Sequence, residues 1–180
     1  MQQFDDVPVG ILRSYRGFEF PGVVDWFVVN PSIDKPAKAG RALPVPLHKG
    51  VASQPQALLS SFHWMTRFTG DAQFTFDIVS MYITALTAKD TPSQPTLLLK
   101  IWGFRPEDVQ PSAKLQMLVR NAFAEDALGT RITLNGSQWQ GLEALAIEAQ
   151  GPGWTGVPPP GYISPGFLLD DMAYAKRKLC

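Results

Sequence analysis

The chain has 180 residues, a length that suits one domain with a sizeable core. Hydrophobic residues make up 45% of it and charged residues only 18%, below the roughly 25% usual in soluble domains, so part of its apolar surface is expected to be buried against partners. Sixteen basic residues balance sixteen acidic ones, which excludes a chain that clamps phosphate backbones over its whole surface. Cys180 is the one cysteine, so no internal disulfide is predicted and a reducing compartment is expected. Residues 1–6 are too acidic and polar for a signal peptide, and no apolar run approaches the ~18 residues needed to cross a bilayer. A soluble chain made in a cytosol, without a membrane partner, is the expectation.

Sixteen prolines and fifteen glycines lie between short apolar segments, the texture of an all-β sandwich with long loops. Residues 1–20, with Arg13, Tyr15 and Arg16 among small and apolar side chains, read as an N-terminal arm. Residues 23–29 (VVDWFVV) predict a first strand, closed by Asn30 and Pro31. Residues 41–47 predict a weaker one, confined to an edge by Pro44 and Pro46. Residues 53–68 predict a helix: Ser53 can cap it, Pro55 fits its first turn, and Leu58, Phe62 and Met65 share a face, with Gly70 as the stop. Phe74, Phe76 and Ile78 then alternate with Gln73, Thr75 and Asp77, the period-2 mark of a half-buried strand. Residues 96–104 (TLLLKIWGF) predict a more buried strand, ended by Arg105 and Pro106. Residues 112–127 predict a second helix, since Leu115, Leu118, Val119 and Ala122 follow helical spacing and Gly129 would stop it. Residues 130–134 and 142–148 predict short strands around a turn at Asn135 and Gly136. Residues 151–180, with Gly151, Pro152, Gly153 and Pro158, Pro159, Pro160, read as an extended C-terminal tail, which leaves 21–150 as the folded domain.

Little in this sequence suggests chemistry. His48 and His63 are its two histidines, one in a loop and one in the first predicted helix, whereas a metal centre wants about three converging ligands. Asp5 with Asp6 and Asp170 with Asp171 are adjacent carboxylates, read as solvated pairs because arm and tail hold nothing at catalytic spacing. Phosphate loop, nucleophile elbow and Cys–His pair are all missing, and Cys180 has no fixed base. No enzyme, cofactor or metal is expected. Trp64 and Trp102 read as packing residues rather than ligand platforms. Lys176, Arg177 and Lys178 form the one basic run, readable as a contact to RNA or to a neighbouring subunit, or as a solvated cluster.

The stretch 58–79 (LLSSFHWMTRFTGDAQFTFDIV) sets Phe62, Trp64, Arg67, Phe68 and Gly70 ahead of Phe74, Phe76 and Ile78. It resembles the helix-to-strand passage in coat proteins of picornaviruses and their plant relatives, and residues 96–106 (TLLLKIWGFRP) are similar to the strand that follows. The likeness is greatest to the secovirid family of plant viruses, to the middle-sized coat subunit of its cheraviruses. That resemblance implies an all-β, eight-stranded antiparallel viral jelly-roll with two short helices, an N-terminal arm and a C-terminal tail. It implies a structural capsid protein cut from a polyprotein, made in the host cytoplasm and residing in the virion. Its partners would be other coat subunits, in about 60 copies each in a pseudo T=3 icosahedral shell, and genomic RNA at the inner surface. The alternative class is a carbohydrate-binding β-sandwich module, which presents a row of aromatic residues and which five tryptophans suit. A third is an interaction or immunity domain.

Overall fold

The computed structural model describes residues 10–16, 18–20, 26–29, 57–60, 66–70, 74–86, 96–120, 129–150 and 166–178. Within them the strands are β1 (Gly10–Leu12), β2 (Ser14–Tyr15), β3 (Phe18–Glu19), β4 (Trp26–Val29), β5 (Ala57–Ser60), β6 (Thr66–Gly70), β7 (Phe74–Leu86), β8 (Thr96–Phe104), β9 (Ala113–Arg120), β10 (Thr130–Thr133), β11 (Ala144–Gln150) and β12 (Gly166–Lys178). They make two six-stranded antiparallel sheets, ordered β1-β4-β5-β12-β7-β10 and β2-β3-β6-β11-β8-β9. The sheets share one core, so the fold is an all-β sandwich.

Period-2 alternation builds that core. In β8, Leu97, Leu99 and Ile101 are 0% exposed, while Leu98, Lys100 and Trp102 turn to the other face and stay half-buried. Leu145 and Ile147 of β11 join them from the same sheet. Phe76, Met81 and Ile83 of β7, with Phe167 and Leu169 of β12, come from the opposite sheet. Phe18 of β3 crosses between the layers: its ring meets Phe74, Phe76 and Tyr174 edge-on at centroid distances of 5.9, 5.0 and 4.8 Å. Pairs of this kind add about 0.5–1.5 kcal/mol each beyond the area they bury.

Both predicted helices give way to strands. The described parts of 53–68 are β5, paired with β4 and β12, and the start of β6, paired with β3 and β11. Ladders on both sides of each strand outweigh the helical spacing of a few apolar residues. The second predicted helix is, through residue 120, the strand β9, paired with β8 from Gly103↔Ala113 to Thr96↔Arg120. Its sequence AKLQMLVR fits both periods. The strand reading puts Ala113, Leu115, Met117 and Val119 toward the core and leaves Leu118, which the helical face would bury, 64% exposed.

The tail is also corrected over 166–178. These residues form β12, one of the two longest strands, which runs between β5 and β7 inside its sheet. Phe167 and Leu169 face the core, and then the phase changes so that Met172 and Tyr174 do. The register slips between Asp170 and Ala173 and again between Ala173 and Tyr174, and Asp171 takes φ 46°, in the left-handed region. On β7 the same break leaves Val79 out of the pairing and 49% exposed. Residues 10–20, assigned by the sequence to an arm, supply β1, β2 and β3 and extend both sheets.

Asn135 and Gly136 do mark a turn, but not one that pairs its flanking strands. β10 pairs with β7 and β11 with β6 and β8, so the segment crosses from one sheet to the other. Gly136, at φ 110°, leads into a 3-10 turn, Ser137–Trp139, whose Trp139 is buried in the core. The expected strands at 74–78 and 96–104 form as β7 and β8, and the described part of 23–29 is β4. The expected strand at 41–47 lies outside the described residues.

Phe76 joins the two layers through Phe18, and Phe76→Ala is expected to lower the unfolding free energy by about 3–5 kcal/mol in urea titrations. Val79→Ala, at the bulge surface, should change it by less than about 0.5 kcal/mol. A chain ending at residue 165 should lose the cooperative transition.

Candidate binding face

The basic run is divided among separate tasks. Arg177 Nη2 lies 2.6 Å from Asp77 Oδ2, and Arg177 Nε donates to that oxygen at 2.8 Å. Arg177 Nη2 also donates to Gln140 Oε1 at 3.3 Å, and Asp77 Oδ1 accepts the Gly141 N–H at 2.8 Å. Arg177 thus clasps β12 to β7 and to the segment after the 3-10 turn. Lys176 Nζ donates to the Arg16 carbonyl at 2.6 Å and sits 4.3 Å from the centre of the Phe74 ring. Lys178 is exposed at the end of the strand. Two of the three basic groups therefore bind their own chain.

The other sequence-predicted residues scatter. Phe74, Phe76 and Ile78 are core residues of β7. Arg67 and Phe68 lie on β6 opposite Ala146 and Leu145, and Gly70 lies opposite Phe18. Phe62, Trp64, His48, His63, Asp5, Asp6 and Cys180 lie outside the described residues. Asp170 is not solvated: it is 1% exposed, and its Oδ1 accepts the Asp171 N–H at 2.8 Å. Among the described residues no three His, Cys, Asp or Glu side chains gather to hold a metal, and no helix is long and apolar enough to cross a membrane.

What the structure does assemble is a surface on the outer side of the sheet β2-β3-β6-β11-β8-β9. Antiparallel register sets Trp102 between Ala146 of β11 and Lys114 of β9. One step along the strands, Lys100 stands between Glu148 and Gln116, and beyond it Leu98 between Gln150 and Leu118. Opposed residues of an antiparallel pair share a face with Cβ atoms about 4.5–5.5 Å apart, so these side chains form one continuous patch. Trp102 packs on Phe104, Ala144 and Ala146, a small apolar cluster separate from the main core. Lys100 Nζ lies 3.9 Å from Glu148 Oε2, and Gln150 Nε2 donates to Glu148 Oε1.

The hairpin carrying this patch is braced at its tip. Asp108 N–H donates to the Arg105 carbonyl at 3.1 Å, and Arg105 N–H donates to Asp108 Oδ2 at 3.1 Å. The Arg105 guanidinium reaches across to the carbonyls of Ser137 at 2.9 Å and Gln140 at 3.3 Å. The link ties the β8–β9 turn to the 3-10 turn. Gly103, between Trp102 and Phe104, lets β8 approach its inner neighbours: a Cβ there would stand 2.9 Å from Leu142 Cδ1 and 3.2 Å from Ala113 Cβ. Sequence reading treats Trp102 as packing alone. The signal that separates the two roles is its even-numbered place in β8, beside Lys100 and opposite to Leu99 and Ile101.

No known family matches the sequence, and no curated protein does. Solved structures do match. The crystal structure of a DUF4465 family protein from Bacteroides caccae aligns with TM-score 0.58 at 10% identity, over 84% of this chain and 73% of that one. This likeness is one of fold alone. The β-1,4-galactotriose complex of TmCBM61 aligns with TM-score 0.41 at 8% identity, over 97% and 94% of the two chains. The enzymatically active domain of bacteriophage CBA120 tailspike protein 4 aligns with TM-score 0.37 at 10% identity, over 89% of this chain and 19% of that one. At these last two TM-scores the likenesses bear no weight.

On the opposite sheet, Tyr82 has its phenol pKa raised from the ordinary 10.0, first by burial and then by the Asp170 carboxylate; a hydrogen bond with the Gly129 backbone pulls the other way. The folded state therefore prefers the neutral phenol. Its contribution to stability is complete below pH 10.0 and is lost as pH rises from there through the folded pKa. Absorbance titration of the folded chain should show one tyrosine ionising late, and Tyr82→Phe should remove that phase and reduce the alkaline fall in stability.

Proposed function

We propose that this chain is a carbohydrate-binding β-sandwich module whose ligand lies across the outer face of the sheet β2-β3-β6-β11-β8-β9. The observation that carries this reading is Trp102, half-buried in a strand surface, with Lys114 opposite it, Lys100 next on its face of β8 between Glu148 and Gln116, and Gln150 one step beyond. A pyranose offers an apolar C–H face and a rim of hydroxyls. An indole stacks on the first, while amides, ammonium and carboxylate exchange hydrogen bonds with the second. The pairing of Glu148 with Lys100 and Gln150 fixes its carboxylate before a ligand arrives, which lowers the ordering cost of binding.

The strand order supports a jelly-roll beneath this face. From β5 to β12 the chain visits the two sheets so that β5-β12-β7-β10 lies in one and β6-β11-β8-β9 in the other. That order is consistent with the winding of an eight-stranded jelly-roll, with β4 and β1, and β3 and β2, added along one edge of each sheet. Double-sheet jelly rolls serve in lectin domains and in viral capsids alike.

The winding also favours a second reading. A coat subunit of a small icosahedral RNA virus, assembling with sister subunits around its genome and located in the virion, uses the same topology and suits the 18% charge fraction. The described parts of its two expected helices form the strands β5, β6 and β9, which takes support from the likeness to secovirid coat proteins.

Binding of the purified chain on a glycan array, followed by calorimetric titration of the best ligand, tests the proposal. Trp102→Ala is expected to weaken that binding by at least about tenfold, or ~1.4 kcal/mol, with circular dichroism showing that the fold persists. Gln150→Ala, a milder surface change, should weaken it as well. A folded chain that ignores every glycan and sediments in shells with sister chains would overturn this proposal in favour of the coat subunit.

A further inference from the structure

We infer that the glycan taken by this face is acidic, with a uronic-acid carboxylate met by Lys114. This rests on the carbohydrate reading above and narrows it to one ligand class. Lys114 stands opposite Trp102 across the β8–β9 ladder and is exposed, and among the described residues it has neither an ion-pair nor a hydrogen-bond partner. The charges next along the ladder from Trp102 engage each other. Lys100 faces Glu148 at 3.9 Å, and Glu148 also accepts from Gln150. Lys114 is thus the unpartnered ammonium that lies beside the aromatic platform.

Spacing favours the match. A sugar ring stacked on Trp102 is about as wide as the gap between opposed strand residues, roughly 5 Å. The carboxylate of a uronic acid leaves the ring edge at C5, within the sweep of a lysine side chain on the next strand. A charge-assisted hydrogen bond there is about twice as strong as a neutral one. A neutral hexose has a hydroxymethyl group at that position and gains no such term. A single-stranded RNA offers stacking bases, but it also brings one negative charge per nucleotide. Beside Trp102 a polyphosphate would find Lys114 and a lysine already paired, on a chain whose formal net charge is zero.

An array carrying neutral oligosaccharides matched ring for ring with their uronic-acid counterparts, together with single-stranded oligouridylate, separates these outcomes on the full chain. We expect a uronic-acid member to bind at least tenfold tighter than its neutral partner in dilute buffer, with the margin shrinking as salt is added. Lys114→Gln should bring the two members of each pair to equal affinity, while Trp102→Ala should weaken both. Equal binding of the members of each pair, still dependent on Trp102, would overturn the acidic preference and leave the carbohydrate reading intact. Binding to no sugar would overturn the carbohydrate reading itself, and a tighter grip on oligouridylate would replace both with RNA recognition.

Discussion

The ladder between β7 and β12 is the constraint on which the sandwich depends. It runs from Gly166↔Leu86 to Lys178↔Phe74 and so joins residues about ninety apart in sequence. β12 also pairs with β5, which in turn pairs with β4, and β4 with β1. Remove β12 and that sheet falls into two unconnected halves. The clasp of Arg177 on Asp77, with Gly141 on the far side of the same carboxylate, fixes one end of this ladder to the crossing between sheets. Contacts of such long sequence separation form late and slowly, because the loop entropy must be met before they can stabilise anything.

The opposite sheet presents two surfaces from the same strands. Inward, Leu97, Leu99, Ile101, Leu145 and Ile147 are packed without exposure. Outward, the residues between them carry Trp102, Lys100 and Glu148. Rigid packing on one side is what holds the other to a fixed pattern, and a binding surface built on strands is positioned more firmly than one built on loops. The Arg105 link and the close approach at Gly103 serve the same end from the hairpin tip and the strand centre.

How much of this was legible depends on the periods written into each segment. Phe74, Phe76 and Ile78 alternate cleanly, as do Leu97, Leu99 and Ile101, and those strands can be read directly. The segment 113–120 satisfies helical and strand spacing together, so only its partner β8 decides between them. β5 and β6 are short pieces whose neighbours lie far along the chain, and local pattern does not reveal ladders of that kind. β12 has apolar residues enough, but Asp171 interrupts their phase and makes the segment resemble an irregular tail. The candidate face was partly visible as an aromatic in a strand. Its meaning came from the cross-strand neighbours Lys114 and Glu148, which lie twelve residues away through a hairpin and forty-six away across the fold.

The paired irregularity at Val79 and Asp171 has a bearing on how this fold can change over time. In an uninterrupted strand, adding one residue turns every later side chain to the wrong face. Here the ladder already slips twice in opposite senses, an extra residue on β12 and then one on β7, and one side chain points into solvent. A change of one residue in length at that point can be absorbed with the core alternation on either side preserved. The bulge is therefore the site in this ladder where insertions and deletions are best tolerated, and variation among descendants of this chain should gather there rather than in the regular stretches around it.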